Sequence, residues 1–232
     1  MTYFISDVHG EYDLFLKLLD KISFSASDKM YVLGDMTGKG VRSIELVDFI
    51  RRASNIKAIL GNHEYDFLKY YHSLMQVAVT PADIDYVFEK LRKYFSGDRA
   101  ELSWDTVDCI DTLPFYVETD DFLCVHAGAE ADKNGKILPL KDQLPEFMVY
   151  SREFKEDYYA LDAENKTVLF GHTPCSYNNS ECKFIKTPKK GISNPKKLTD
   201  YSKIRLDCGV FITGSLGALR LEDMSEFYVD KY

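Results

Sequence analysis

The chain has 232 residues, 45% of them hydrophobic and 14% aromatic, with a formal net charge of −8. That length and composition suit one folded domain with a substantial core, not a disordered chain. The acidic balance argues against a general nucleic-acid binder, which needs an excess of Lys and Arg, and no apolar run approaches a membrane span.

Tyr3–Ile5 reads as a short buried strand that ends at Ser6-Asp7-Val8-His9-Gly10. Leu14, Phe15, Leu18, Leu19 and Ile22 then recur at helical spacing. Met30–Leu33 is a second strand, ending at Gly34-Asp35, and a helix follows from about Ser43 with Ile44, Val47 and Ile50 inward. Ile56–Leu60 is a third strand, ending at Gly61-Asn62-His63-Glu64. Residues 65–111 are expected to form a helical insertion, with Pro81 at a helix start. Phe115–Glu118 and Phe122–Val125 predict a hairpin across Thr119-Asp120-Asp121. Val168–Phe170 is a strand ending at Gly171-His172, and Ile204–Leu206, Val210–Ile212, Ala218–Leu221 and Phe227–Val229 are expected to be short strands. The first half alternates strand and helix and predicts parallel pairing, whereas the second half is expected to be mostly antiparallel. Residues 178–203, rich in Lys, Asn, Ser and Pro, are expected to form a surface loop.

The five cysteines, Cys109, Cys124, Cys175, Cys182 and Cys208, are odd in number and form no C-x-x-C pair. With charged residues reached by Asp7, no secretory leader fits the start of the chain. The expectation is a cytoplasmic protein with reduced, packing cysteines.

The chemistry lies where the strands end. Asp7, His9, Asp35, Asn62, His63, His126 and His172 all follow predicted strands, and only His72 of the five histidines does not. Loops at the carboxyl ends of such strands gather along one sheet edge. Nitrogen and oxygen donors without thiolate suit Mn²⁺, Fe or Zn²⁺. Two such ions bridged by a carboxylate lower the pKa of a water and stabilise charge in phosphoryl transfer. Taken singly, Asp7 and His9 also fit a helix cap, Asp35 a turn, and His126 or His172 a core histidine.

Asp7-Val8-His9-Gly10, Gly34-Asp35 through Gly40, Gly61-Asn62-His63-Glu64, His126-Ala127-Gly128 and Gly171-His172-Thr173-Pro174 resemble the ordered motifs of the calcineurin-like metallophosphoesterases. Within that superfamily the spacing is similar to the phosphoprotein phosphatase branch, especially its small bacterial and phage members. The tail Asp207-Cys208-Gly209 to Asp223 resembles the closing strands. The resemblance implies an α/β fold, a two-sheet mixed β-sandwich flanked by helices. It implies two divalent ions, with Asp7, His9 and Asp35 on the first and Asp35 bridging to a second held by Asn62, His126 and His172. His63 would be the general acid, while Arg152 and Lys39 would bind phosphate. Hydrolysis would proceed by direct attack of metal-bound hydroxide on phosphorus.

Two positions depart from the pattern. Gly38 stands where the family has an aspartate expected to orient the catalytic histidine, and Lys39 where it has an arginine. A small residue at the first position is similar to the diadenosine tetraphosphate hydrolases. The leading expectation is a protein serine/threonine phosphatase, or a phosphatase of broad scope. The second is a hydrolase of dinucleoside polyphosphates or polyphosphate, and the third a non-enzymatic scaffold, which the retained His63 disfavours. Lys183, Lys186, Lys189, Lys190, Lys196, Lys197 and Lys203 form a basic run that reads either as an attractor of polyanions or, preferentially, as a solvated loop. Phe147, Tyr150, Phe154 and Tyr158 follow helical spacing and are expected to pack in the core.

Overall fold

A computed structural model describes residues 1–95, 97–98, 100–156, 166–177 and 183–231. The first half runs β1 (Thr2–Ile5), α1 (Tyr12–Lys21), β2 (Lys29–Val32), α2 (Ser43–Arg52), β3 (Ile56–Ala58), α3 (Asn62–Met75), α4 (Pro81–Leu91) and α5 (Trp104–Asp111). The second half runs β4 (Tyr116–Glu118), β5 (Phe122–Val125), α6 (Pro145–Tyr150), β6 (Thr167–Phe170), β7 (Ile185–Pro188), β8 (Tyr201–Arg205), α7 (Val210–Thr213), β9 (Ser215–Arg220) and β10 (Glu226–Asp230). Two five-stranded sheets result, in the orders β10-β9-β1-β2-β3 and β4-β5-β6-β8-β7.

Residues alternate across each strand, so the central strands send side chains to two different cores. Tyr3 and Ile5 face the helices and pack with Leu14, Phe15, Ile44 and Val47. Phe4, between them, joins Phe122, Leu169, Ile204 and Leu219 from other strands of both sheets. Its ring stacks on Tyr31 at 5.4 Å and meets Phe122 edge-on at 5.0 Å. Full burial of such a side chain stabilises by about 1.5–3 kcal/mol. On the outer face of the second sheet, Leu123, Val125, Val168 and Phe170 pack with Met148 and Phe154. The two sheets are therefore stacked face to face, with helices covering the first.

Three expectations change, while the mostly antiparallel pairing expected of the second half holds: β4 pairs β5, β7 pairs β8, and β9 pairs β1 and β10 in that sense, with β5–β6 and β6–β8 parallel. The long connection from β5 through α6 to β6 is a crossover, not a hairpin, and a crossover returns the chain in the same direction. Val210–Ile212 lies in the single helical turn α7, between Gly209 (φ 69°) and Gly214 (φ 75°). Residues 178–203 are more than a surface loop, although 178–182 lie outside the described residues. Ile185–Pro188 forms strand β7, and Lys203 of β8 is buried, donating to the carbonyls of Phe154 (2.8 Å) and Glu156 (2.6 Å). The aromatic stripe is not one helix either. α6 stops at Tyr150 and Phe154 is buried beyond it, 4.9 Å from Phe170, whereas Tyr158 lies outside the described residues.

The helical reading of the middle holds for α3, α4 and α5, with Thr80 capping α4 ahead of Pro81. Cys124, Cys175 and Cys208 are buried, as packing residues are, and Cys182 lies outside the described residues. Among the described residues no helix is long and apolar enough to cross a membrane.

Candidate metal centre

The loops after β1 and β2 are laced together by backbone hydrogen bonds. The amide of His9 donates to the Asp35 carbonyl (2.8 Å), that of Gly10 to Met36 (2.7 Å) and that of Gly40 back to His9 (2.7 Å). The amide of Gly171 donates to the carbonyl of His126 (2.7 Å), joining the loops after β5 and β6. Among the described residues, seven non-glycine residues have a left-handed backbone, and five of them, Asp7, His9, Asp35, Lys39 and His172, belong to this region. Each such conformation costs on the order of 1–3 kcal/mol, and strain of this kind persists where geometry serves a site.

Backbone carbonyls settle which imidazole nitrogens face inward. His126 places Nδ1 2.7 Å from the carbonyl of Leu33, and His9 places Nδ1 3.1 Å from that of Thr37. A carbonyl only accepts, so both rings carry their proton on Nδ1 and expose a lone pair on Nε2. The Nε2 of His9 lies 3.6 Å from Asp35 Oδ2 and 3.9 Å from Asp7 Oδ1. The Nε2 of His126 lies 3.5 Å from Asp35 Oδ1 and 3.2 Å from Asn62 Oδ1, and His172 Nδ1 lies 2.9 Å from the same amide oxygen. Lone pairs converging at these distances repel one another unless positive charge lies among them. Two triplets emerge, His9/Asp35/His63 and Asp35/His126/His172, each with ligand atoms within 4.8 Å of one another. Asp35 belongs to both. This donor set fits two divalent cations sharing one carboxylate.

The electrostatics agree. Burial, reinforced by Asp207, holds the Asp7 carboxyl well above the usual carboxylate range. Burial, reinforced by Glu64, does the same to Asp35. Burial pushes His172 down to about 3, and burial with the Lys39 ammonium pushes His9 well down. The imidazoles of His9 and His172 are thus neutral, as ligands must be, while the buried carboxylates of Asp7 and Asp35 lack compensating charge. The Lys39 ammonium sits 3.1 Å from His9 Nε2, at the edge of the first triplet.

All the residues singled out in the sequence come together. Asp7 and His126 are buried, whereas Lys39 and Arg152 line the same cleft as Asn62, His63 and His172. His72 lies apart, its Nε2 2.9 Å from surface Asp111. Asp7 sits beside the first triplet and not within it: its Oδ2 accepts from Ser6 Oγ and the His172 amide, and its Oδ1 lies 3.9 Å from His9 Nε2. His63 occupies that third corner, 4.0 Å from Asp35 Oδ2, with its ring edge-on to His9 at 4.8 Å.

Two acidic residues had no assigned role in the sequence reading. Glu64 is wholly buried and accepts from the amides of Asp35 (2.9 Å), Gly61 (3.0 Å) and Thr37 (2.8 Å) and from the Thr37 hydroxyl (2.7 Å). It clamps the Asp35 loop onto the start of α3. The signal for it was its place two residues after Asn62, at the first turn of a helix. Asp207 is buried in the cleft wall, pushed up to about 6 by burial, and follows the end of β8. The strand-end rule that picked the other residues would have found it.

The sequence profile of the calcineurin-like phosphoesterases matches residues 2–194. The chain is 37% identical over 102 residues to a symmetrical bis(5'-nucleosyl)-tetraphosphatase of Buchnera aphidicola subsp. Baizongia pistaciae, covering 40% of this chain and 37% of that one. It is 25% identical over 198 residues to the asymmetrical bis(5'-nucleosyl)-tetraphosphatase PrpE of Bacillus velezensis, covering 73% of this chain and 76% of that one. The chain thus matches little more than a third of the first relative's length and three quarters of the second's. A solved structure provisionally designated a diadenosine tetraphosphatase superposes with a TM-score of 0.69 at 18% identity, over 100% of this chain and 93% of that one. A mutant cold-active protein tyrosine phosphatase superposes with a TM-score of 0.58 at 17% identity, over 99% and 80% of the two chains. At such identities these likenesses show a shared fold and nothing finer.

Proposed function

Because the chain belongs to the calcineurin-like phosphoesterase family, we propose that it is a metal-dependent phosphoester hydrolase whose substrate is a dinucleoside polyphosphate. The sequence reading placed phosphoproteins first and dinucleotides second. The names of the relatives support the reverse order.

The observation that carries the reading is the setting of His63. Its Nδ1 faces the backbone at Gly38, and among the described residues no carboxylate hydrogen-bonds that nitrogen. A histidine without an orienting carboxylate is less often protonated and less firmly aimed, and so serves a basic leaving group less well. A serine alkoxide is such a group, comparable in basicity to hydroxide, whose parent water has a pKa of about 15.7. A nucleotide phosphate leaves far more readily, because its second pKa is about 6. Cleaving a phosphoanhydride therefore demands less of His63 than cleaving a phosphoserine.

In this proposal Asp7, His9 and Asp35 hold one divalent ion, and Asp35, Asn62, His126 and His172 the other. When bound, the pair supplies an activated water and charge stabilisation at phosphorus. The carbonyls of Leu33 and Thr37 keep His126 and His9 in the binding tautomer. Glu64 holds the Asp35 loop against α3. Arg152 and Lys39 neutralise phosphate oxygens at the cleft, and His63, with its ring open to that cleft, donates a proton to the departing oxygen. Mn²⁺ is the first ion to supply, with Fe and Zn²⁺ next, because all three accept nitrogen and oxygen donors.

The test is a comparison of kcat/KM, in Mn²⁺, on diadenosine tetraphosphate and on phosphoserine peptides. A preference for the dinucleotide of about tenfold or more is expected, equivalent to about 1.4 kcal/mol. A preference for the peptides would return the protein to the phosphatase reading.

A further inference from the structure

Resting on the dinucleoside polyphosphate reading, we infer that Phe211, flanked by Ile212, is the stacking platform for a nucleobase of the substrate.

Apolar residues scattered singly over a surface need no explanation, but two adjacent ones in the lining of an otherwise polar cleft form a feature of the site. Phe211 is 59% exposed and Ile212 66% exposed, and both line the cleft that holds His63, His172, Lys39 and Arg152. The fold builds this presentation. Gly209 and Gly214 both adopt left-handed backbone, which confines α7 to one turn between them. The Asp207 carboxylate accepts from the Gly209 amide (2.6 Å), and the Thr213 hydroxyl donates to the carbonyls of Cys208 and Gly209, both at 3.1 Å. Val210 is buried and anchors the turn in the helix-side core. With its first residue pulled inward, the turn sends the next two outward into the cleft mouth. Neither contributes to a core, so packing does not account for them.

The chemistry of the cleft favours one occupant. Its floor, with histidines, aspartates, a lysine and an arginine, suits a phosphate chain. A nucleoside at the end of that chain must leave this polar floor and meet the rim. An aromatic face stacks on any base, and a stack of this kind adds about 1–3 kcal/mol of binding. The phenyl ring has only two rotatable torsions to order, so little is lost on binding.

The experiment uses the full chain with Mn²⁺ and compares diadenosine tetraphosphate with tripolyphosphate, which has no base. Phe211→Ala should raise KM for the dinucleotide about tenfold while leaving tripolyphosphate hydrolysis within about twofold, and Phe211→Trp should restore the wild-type KM. An unchanged melting midpoint for Phe211→Ala, expected of an exposed residue, separates this effect from unfolding. If the wild type cleaves the dinucleotide and Phe211→Ala has an unchanged KM, the platform is overturned and the substrate reading survives. An equal fall on both substrates also overturns it, since a turn that merely props up the centre would act on both. If the wild type cleaves tripolyphosphate but not the dinucleotide, the substrate reading falls, and the platform with it.

Discussion

The imidazole of His63 lies directly over Gly38: a Cβ on residue 38 would sit 2.2 Å from His63 Nδ1 and 2.7 Å from its Cε1. The backbone there has φ +84°, which a side chain also disfavours. The missing aspartate of the family pattern is therefore more than a lost partner. The histidine has taken the space.

Gly38→Asp, which writes the family's residue back into the motif, should accordingly impair the enzyme. The new side chain would push the ring out of line, and misplacement of a reacting group by about 1 Å costs about a hundredfold in rate. We expect kcat/KM on diadenosine tetraphosphate to fall by about that factor with two metals still bound per chain, as measured by elemental analysis. A variant as active as the wild type would mean that His63 has room to accommodate a carboxylate.

His63→Asn should keep its metals and lose turnover unevenly. The loss should be steep on alkyl phosphate monoesters and shallow on phosphoanhydrides, because only the former release a strongly basic oxygen. Rates across a series of leaving groups would show a steeper dependence on leaving-group pKa in the variant. Parallel slopes for the two enzymes would remove the proton-donor role.

Glu64→Gln tests the clamp. One amide nitrogen would face backbone or hydroxyl donors where a carboxylate oxygen now accepts two hydrogen bonds. Leaving buried donors unsatisfied costs about 1–3 kcal/mol each, which lowers the melting midpoint by at least about 4 °C for a chain of this size. Calorimetry would measure it, and a midpoint that does not move would demote Glu64 to a bystander.

Mn²⁺ should stabilise the protein more at pH 7 than at pH 5. Burial holds Asp7 and Asp35 well above the usual carboxylate range and pushes Asp207 up to about 6. A carboxyl raised in this way favours the folded state at low pH, and that contribution is lost as pH rises through the folded value. Protons on these groups compete with metal at pH 5 and less so at pH 7, while His172, pushed down to about 3, is neutral at both. The gain in melting midpoint on adding Mn²⁺ should therefore be larger at pH 7. Equal gains at the two values would show that proton release from these carboxyls is not coupled to binding.

The amino-acid sequence alone determined which residues gather at the candidate centre. Asp7, His9, Asp35, Asn62, His63, His126 and His172 each follow a short apolar run, and a strand's direction and end are local properties. Both strand and loop are written within a few consecutive residues, so the cluster was legible without knowing how the strands pair. Gly38 and Lys39 likewise already left the substrate open between a phosphoprotein and a dinucleoside polyphosphate. The tertiary structure decided what depends on residues far apart in the chain. The parallel pairing of β5, β6 and β8 rests on a long crossover whose path no local pattern encodes. Lys203 reads as one more surface cation until β8 is seen inside its sheet, with the carbonyls of Phe154 and Glu156 around the ammonium. Val210–Ile212 has the composition of a strand, and only the left-handed glycines on either side turn it into a helix that buries Val210 and presents Phe211. Local sequence specifies which chemical groups stand at a strand's end, because strand formation and termination are short-range. Which groups meet across the cleft follows from long-range packing, because sheet pairing and burial join segments that the chain itself keeps apart.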